Sequence, residues 1–304
     1  MSAAASLLDA PVLGFVGLGV MGEPMCANLL ARSGRSVVCH DLAPAPMAAL
    51  AQRGAIAAPT LEALAERAGV VFLCLASAQA LEAVIDQLLA HWQGATRVRT
   101  VVDMGTTSLA TTRAVAQRLA EAGHRFVDAP VARMPEAAVN GTLSIMVGGA
   151  AEDLAALMPW LRCMGSDITH CGGVGSGQVV KILHNTVLIE AVQSLAEALA
   201  TARSLGVEGE VLLDAIELGS ADSRASRVQG RQALLPRHYP EGRFATRYAL
   251  KDVSLALELA ALAGLDAALA QQTARTLQRT VEAGFGSRYY PAFYEVIAAP
   301  RAAG

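Results

Sequence analysis

Val12-Leu13-Gly14-Phe15-Val16-Gly17-Leu18-Gly19-Val20-Met21-Gly22-Glu23-Pro24 is the stretch on which the fold of this 304-residue chain turns. Val12 to Val16 reads as a short buried strand, and Pro24 sits where a helix opens. Between them stand Gly17, Gly19 and Gly22 in G-x-G-x-x-G spacing. The first glycine permits a tight turn, the second lets a pyrophosphate approach the backbone, and the third lets helix and strand pack closely. The turn Gly17-Leu18-Gly19-Val20-Met21-Gly22 then offers N–H groups at a helix N-terminus, a cradle for a dinucleotide. Asp41 closes the next strand at about the expected spacing of roughly 20 residues, which suits a carboxylate bound to ribose hydroxyls; a solvated loop acid or a helix cap is the bland alternative. A carboxylate there repels a 2′-phosphate, and Leu42 stands where an arginine would serve. NAD is therefore expected in preference to NADP.

Working outward, Ser36 to His40, Val70 to Leu75 and Val98 to Asp103 are further β-branched runs, separated by helical stretches such as Pro24 to Ser33 and Leu61 to Ala68. This rhythm predicts a doubly wound parallel sheet. Phe126 to Val131, Leu143 to Val147 and Ser166 to Cys171 read as its later strands. From Ser176 to Leu205 the pattern becomes one long helix, apolar nearly all the way round, as in a helix buried in a domain or against another subunit. Helical segments follow at about 208–219, 223–235, 246–263, 265–283 and 290–298. The expected organisation is an α/β domain over residues 1–173 and an all-α domain over 174–304, built on that central helix.

A formal charge of −3 offers no electrostatic footprint for nucleic acid or an anionic membrane. Mean hydropathy is high at +0.39. Even so, no uninterrupted apolar run reaches the roughly 18 residues of a spanning helix. The apolar stretch from Val12 lacks a basic leader and has Asp9 before it, so a cytoplasmic protein is expected. Five scattered cysteines without C-x-x-C spacing suit reduced thiols, and the histidines form no ligand pattern, so no metal is expected.

The second informative stretch is Gly175-Ser176-Gly177-Gln178-Val179-Val180-Lys181-Ile182-Leu183-His184-Asn185. On a helix, Lys181, His184 and Asn185 share one face. An ammonium at the edge of an apolar wall is a good proton donor to a carbonyl. A solvated surface lysine is the alternative.

With Gly14 to Met25, these motifs resemble the β-hydroxyacid dehydrogenases. The resemblance also rests on Asp128-Ala129-Pro130-Val131, Gly141-Thr142-Leu143 with Met146-Val147-Gly148-Gly149, and Lys251-Asp252. It implies a Rossmann domain, an all-helical second domain on one long helix, and homodimers or homotetramers. Lys181 matches the catalytic lysine, and Asn185 matches the substrate-orienting second asparagine of K-x-x-N-N. Val20, Met21, Asp41, Leu75 and Thr106 match cofactor contacts, and Lys251 matches a lysine reaching toward the cofactor. A hydroxyl at Thr106 equally suits a helix N-cap, and Lys251 equally suits a partner for Asp252.

The chain departs from the family in two places. Where most members read D-A-P-V-S-G-G, it has Ala132-Arg133-Met134 after Val131. The substrate-binding serine is lost, and a guanidinium with a planar fork of donors appears. This is similar to the sulfolactaldehyde reductase branch, so Arg133, flanked by Ala132 and Met134, is expected to hold a sulfonate or carboxylate; a surface arginine on a drifted loop is the alternative. His184 replaces the first asparagine, either as a substrate donor or as a histidine bonded to backbone. The expected activity interconverts a small anionic primary alcohol and its aldehyde with NAD, on a sulfolactaldehyde-type or 3-hydroxyisobutyrate-type substrate. Imine reduction and a non-catalytic nucleotide-binding role are the rivals, and an intact Lys181 argues against both.

Overall fold

Every β-branched run quoted above pairs into one sheet. The computed structural model describes residues 12–94 and 97–299, so Asp9 lies outside it. Among these residues nine strands form the sheet: β1 (Val12–Val16), β2 (Ser36–His40), β3 (Ile56–Ala57), β4 (Val70–Leu73), β5 (Thr100–Asp103), β6 (Arg125–Asp128), β7 (Val131–Ala132), β8 (Leu143–Gly148) and β9 (Gly165–Gly172). The order β3-β2-β1-β4-β5-β6 is parallel throughout, the Rossmann arrangement. Beyond β6, β8 runs antiparallel to it, pairs with β7, and takes β9 in parallel.

The expected strand Phe126 to Val131 is in fact two, with Ala129 and Pro130 between them. Pro130 has no N–H to give a ladder, and its carbonyl instead accepts from Met146 N at 3.0 Å. The chain turns at this break, carrying β7 to the far side of β8.

Helices α1 (Gly22–Arg32), α2 (Pro44–Gln52), α3 (Leu61–Arg67), α4 (Ala78–Trp92) and α5 (Leu109–Glu121) link the parallel strands, and α6 (Pro135–Asn140) and α7 (Ala151–Met164) follow. Thr60, Ser77 and Ser108 cap α3, α4 and α5 by accepting from the N–H three residues on. The N-cap after the fifth strand is thus Ser108, not Thr106. Side chains alternate across the sheet, so Leu13, Phe15 and Phe72 pack with Met25, Leu29 and Trp160 on one face. Val16, Val71 and Val101 pack with Leu64, Ile85 and Trp92 on the other.

Two compact units divide the chain, one ending at Lys181 and the other beginning at Ile182, inside the long helix α8 (Ser176–Ser204). In the second unit Ile189, Val192, Ala196 and Leu199 form a stripe of α8 at helical spacing. This stripe packs with residues of α9 (Gly209–Leu218), α10 (Thr246–Leu262), α11 (Ala268–Thr280) and α12 (Phe293–Ile297). By length and composition α8 could cross a membrane, but half of its apolar window is buried inside the fold, as in a core helix. The opposite face is open: Leu183 and Val187 are exposed, so the helix is not buried all round in the single chain. The segment expected as a helix over 223–235 forms a π-helix, Ser226–Leu234, with Leu235 N reaching back to Gly230 O at 2.9 Å.

Candidate active site

The carboxyl edge of the parallel strands gathers the expected cofactor residues of the first unit. Gly17 follows β1 at φ +91°, and a Cβ there would stand 2.3 Å from the Cys74 carbonyl oxygen. A Cβ on Gly19 would meet nothing within 4 Å, so the middle of the turn faces open space. No side chain caps α1, although Glu23 N already donates to Gly19 O at 3.1 Å. Asp41, at the end of β2, accepts from Leu18 N at 2.5 Å and Ala43 N at 2.7 Å. Its carboxylate is thereby drawn over the glycine turn rather than out into solvent. Leu42 is 97% exposed. Leu75 follows β4 beside Gly17, and Thr106 follows β5. Open space at Gly19, an uncapped helix and an anchored carboxylate fit a nicotinamide dinucleotide: the turn would hold the pyrophosphate and Asp41 the ribose.

The loop after β5 is tied to the start of α8. Gln178 is fully buried. Its Oε1 accepts from Thr107 N at 3.2 Å, and its Nε2 donates to Gly105 O at 2.9 Å. The end of β6 holds the same turn. The Asp128 carboxylate, also fully buried, accepts from Gly175 N at 2.6 Å and Gln178 N at 2.9 Å. Burial pushes the Asp128 carboxyl above the usual range, and the N–H groups of Gly175 and Gln178 pull it part of the way back. An anion at these N–H groups also complements the positive end of the α8 dipole. Lys181 lies in the next turn and is buried, with 7% exposure.

In the second unit Asn185 is buried and donates from Nδ2 to Asp252 Oδ2 at 2.6 Å. Lys251 Nζ stands 3.8 Å from the other oxygen of Asp252. Asp252 therefore fixes which way the Asn185 amide faces, leaving its carbonyl oxygen turned away from the carboxylate. His184 is exposed on the same helix.

Arg133 is engaged within the first unit. Its Nη1 donates to Thr142 O at 2.5 Å and to Ser166 Oγ at 3.1 Å, and its Nη2 pairs with Asp167 Oδ2 at 2.7 Å. The fork expected to take the substrate anion braces the loop against Thr142 and β9. Hydrogen bonds from Ser166 and then Arg133 hold the Asp167 carboxyl below its usual range. The backbone of Arg133 is at φ +87°, in the left-handed region that favours glycine. The loop thus keeps a glycine's conformation with an arginine in it. Ala132 is buried in β7, and Met134 precedes α6.

Sequence reasoning quoted Asp128, Gln178 and Asp252 within motifs but gave none of them a role of its own. A polar residue amid an apolar helical pattern was the available signal for Gln178.

Residues 12–173 match the NAD binding domain of 6-phosphogluconate dehydrogenase, and residues 175–297 match the NAD-binding domain of NADP-dependent 3-hydroxyisobutyrate dehydrogenase. The chain is 36% identical to a 3-hydroxyisobutyrate dehydrogenase of Pseudomonas aeruginosa, over 81% of this chain and 84% of that one. It is 35% identical to the 2-(hydroxymethyl)glutarate dehydrogenase of Eubacterium barkeri, over 81% of each chain. The structure of Mycobacterium tuberculosis 3-hydroxyisobutyrate dehydrogenase with L-serine superposes with a TM-score of 0.87 at 29% identity, over 95% of this chain and 99% of that one.

Proposed function

The chain belongs to the β-hydroxyacid dehydrogenase family, oxidoreductases acting on CH–OH with a nicotinamide dinucleotide, and from that premise we propose that it interconverts a small 3-hydroxy acid and its semialdehyde using NAD. When bound, NAD supplies the hydride acceptor. Lys181 Nζ takes the alcohol proton in the oxidation and returns it in the reduction. Asn185, one helical turn on, aims the substrate with an amide whose orientation Asp252 sets. The observation that carries this reading is the buried lysine in a helical turn that Asp128 and Gln178 fasten to the ends of β6 and β5.

The choice of NAD rests on Asp41, whose carboxylate lies at the glycine turn, and on Leu42, which offers no cation to a 2′-phosphate. The choice of substrate rests on chemistry shared by two relatives. 3-Hydroxyisobutyrate and 2-(hydroxymethyl)glutarate both carry a hydroxymethyl group on the carbon beside a carboxylate. The sulfonate reading rests on Arg133 alone, whose fork is engaged with Thr142, Ser166 and Asp167, so the carboxylate shared by the two relatives sets the proposed substrate class. NADH formation across carboxylate, sulfonate and uncharged alcohols of equal size tests this. A sulfonate turned over fastest would overturn the carboxylate reading, and no turnover of any primary alcohol would overturn the whole.

A further inference from the structure

We propose that Gln178 is a positioning residue for this reaction, its amide clasping the backbone on both sides of Thr106 and so setting the cofactor-side loop against the turn that carries Lys181. The inference rests on the roles assigned above to Thr106 and Lys181. Gln178 uses its amide in both senses, accepting from Thr107 N and donating to Gly105 O. Turning the amide over would set N–H against N–H and oxygen against oxygen, so a single orientation satisfies both partners. All three groups are buried, so a lost bond leaves a buried polar group unpaired.

The loop has little freedom to settle elsewhere. Gly105 N donates to Asp103 Oδ1 at 2.9 Å, and a Cβ on Gly105 would stand 2.9 Å from the Leu75 carbonyl oxygen. The other end of the clasp is equally fixed, since Gln178 N donates to Asp128. Lys181 follows Gln178 by three residues, the spacing that sets neighbouring side chains on one helix face. One amide thereby joins the loop assigned to the hydride acceptor to the turn bearing the proton acceptor, and hydride and proton transfer both depend on that geometry.

The test uses Gln178→Ala and Gln178→Met, the second keeping the volume without the hydrogen bonds. NAD affinity is measured by calorimetry without substrate. kcat, KM and the primary deuterium isotope effect are measured with an alcohol deuterated at the carbinol carbon. With fold confirmed by circular dichroism, the dissociation constant for NAD is expected to rise about tenfold and kcat to fall roughly tenfold to a hundredfold, with KM for the alcohol little changed. The isotope effect is expected to grow as hydride transfer becomes rate-limiting, whereas a role confined to stability would shift only the melting temperature. A folded variant with wild-type NAD affinity and isotope effect would overturn the proposal. If neither variant folds, amide exchange at Thr107 in the wild-type protein decides: slow exchange is expected, and exchange as fast as in an open loop would overturn it. Lys181→Ala separates the two ideas. If that variant keeps full turnover, the catalytic reading fails, while NAD affinity in the Gln178 variants still reports on the clasp.

Discussion

Replacing Asp128 tests whether a buried carboxylate fastens the catalytic helix. Asp128→Ala leaves the N–H groups of Gly175 and Gln178 without their acceptor in a site closed to water. At about 1–3 kcal/mol for each unsatisfied buried donor, the loss is about 2–6 kcal/mol, a large part of the roughly 5–15 kcal/mol that holds a protein folded. Asp128→Asn keeps one oxygen and turns an amide N–H toward the other donor, so about half of that loss is expected. Activity should follow geometry: a shift of about 1 Å at Lys181 costs on the order of a hundredfold in kcat. Charge adds a pH signature. Burial raises the Asp128 carboxyl above its unfolded value, so the folded chain holds this proton more tightly. Its contribution to stability therefore falls as pH rises from the unfolded pKa through the folded one and is flat above. Asn has no such slope. Thermal and denaturant unfolding across that acidic range, with kcat at neutral pH, make the comparison. An Asn or Ala variant as stable and active as wild type would show that Asp128 does not fasten the helix.

Arg133→Gly relieves a left-handed backbone worth about 1–2 kcal/mol while giving up the hydrogen bonds to Thr142 and Ser166 and the exposed pair with Asp167. Arg133→Ala keeps the strained backbone and should melt lower than the glycine variant. A selective fall in kcat/KM for anionic substrates in both would return Arg133 to the substrate. Asp252→Ala frees the Asn185 amide and should lower kcat/KM by about tenfold or more; unchanged steady-state kinetics would show that Asn185 needs no such support. Asp41→Ala with Leu42→Arg should narrow the preference for NAD over NADP, and a wild-type enzyme more efficient with NADP would contradict the role given to Asp41.

The cofactor half of the site was legible because its signals are local. Strand, glycine turn, helix and terminal acid lie in order between Val12 and Asp41, and each residue's task follows from backbone geometry. What was not legible lies in contacts between distant segments. Asp128 meets Gly175 across 47 residues and Gln178 across 50, and no spacing rule joins a strand end to a helix start at that range. The contacts of Arg133 are hidden for the same reason. Its charge is visible in the sequence, but besides the Thr142 carbonyl its partners are Ser166 and Asp167 on β9, Ser166 lying 33 residues away. The break at Pro130 shows the opposite balance: a proline in a β-branched run was a sufficient local sign that one strand becomes two.

Lys181 is proposed to exchange the proton of a small 3-hydroxy acid as NAD takes its hydride. NADH formation from 3-hydroxyisobutyrate, 2-(hydroxymethyl)glutarate and an uncharged alcohol of similar size, by wild type and Lys181→Ala, tests it most directly. Wild type should turn over the carboxylates and only weakly the neutral alcohol, and Lys181→Ala should lower kcat by about 10²- to 10⁴-fold with NAD affinity nearly unchanged. Full turnover by the Lys181 variant, or none of any alcohol by wild type, would contradict it.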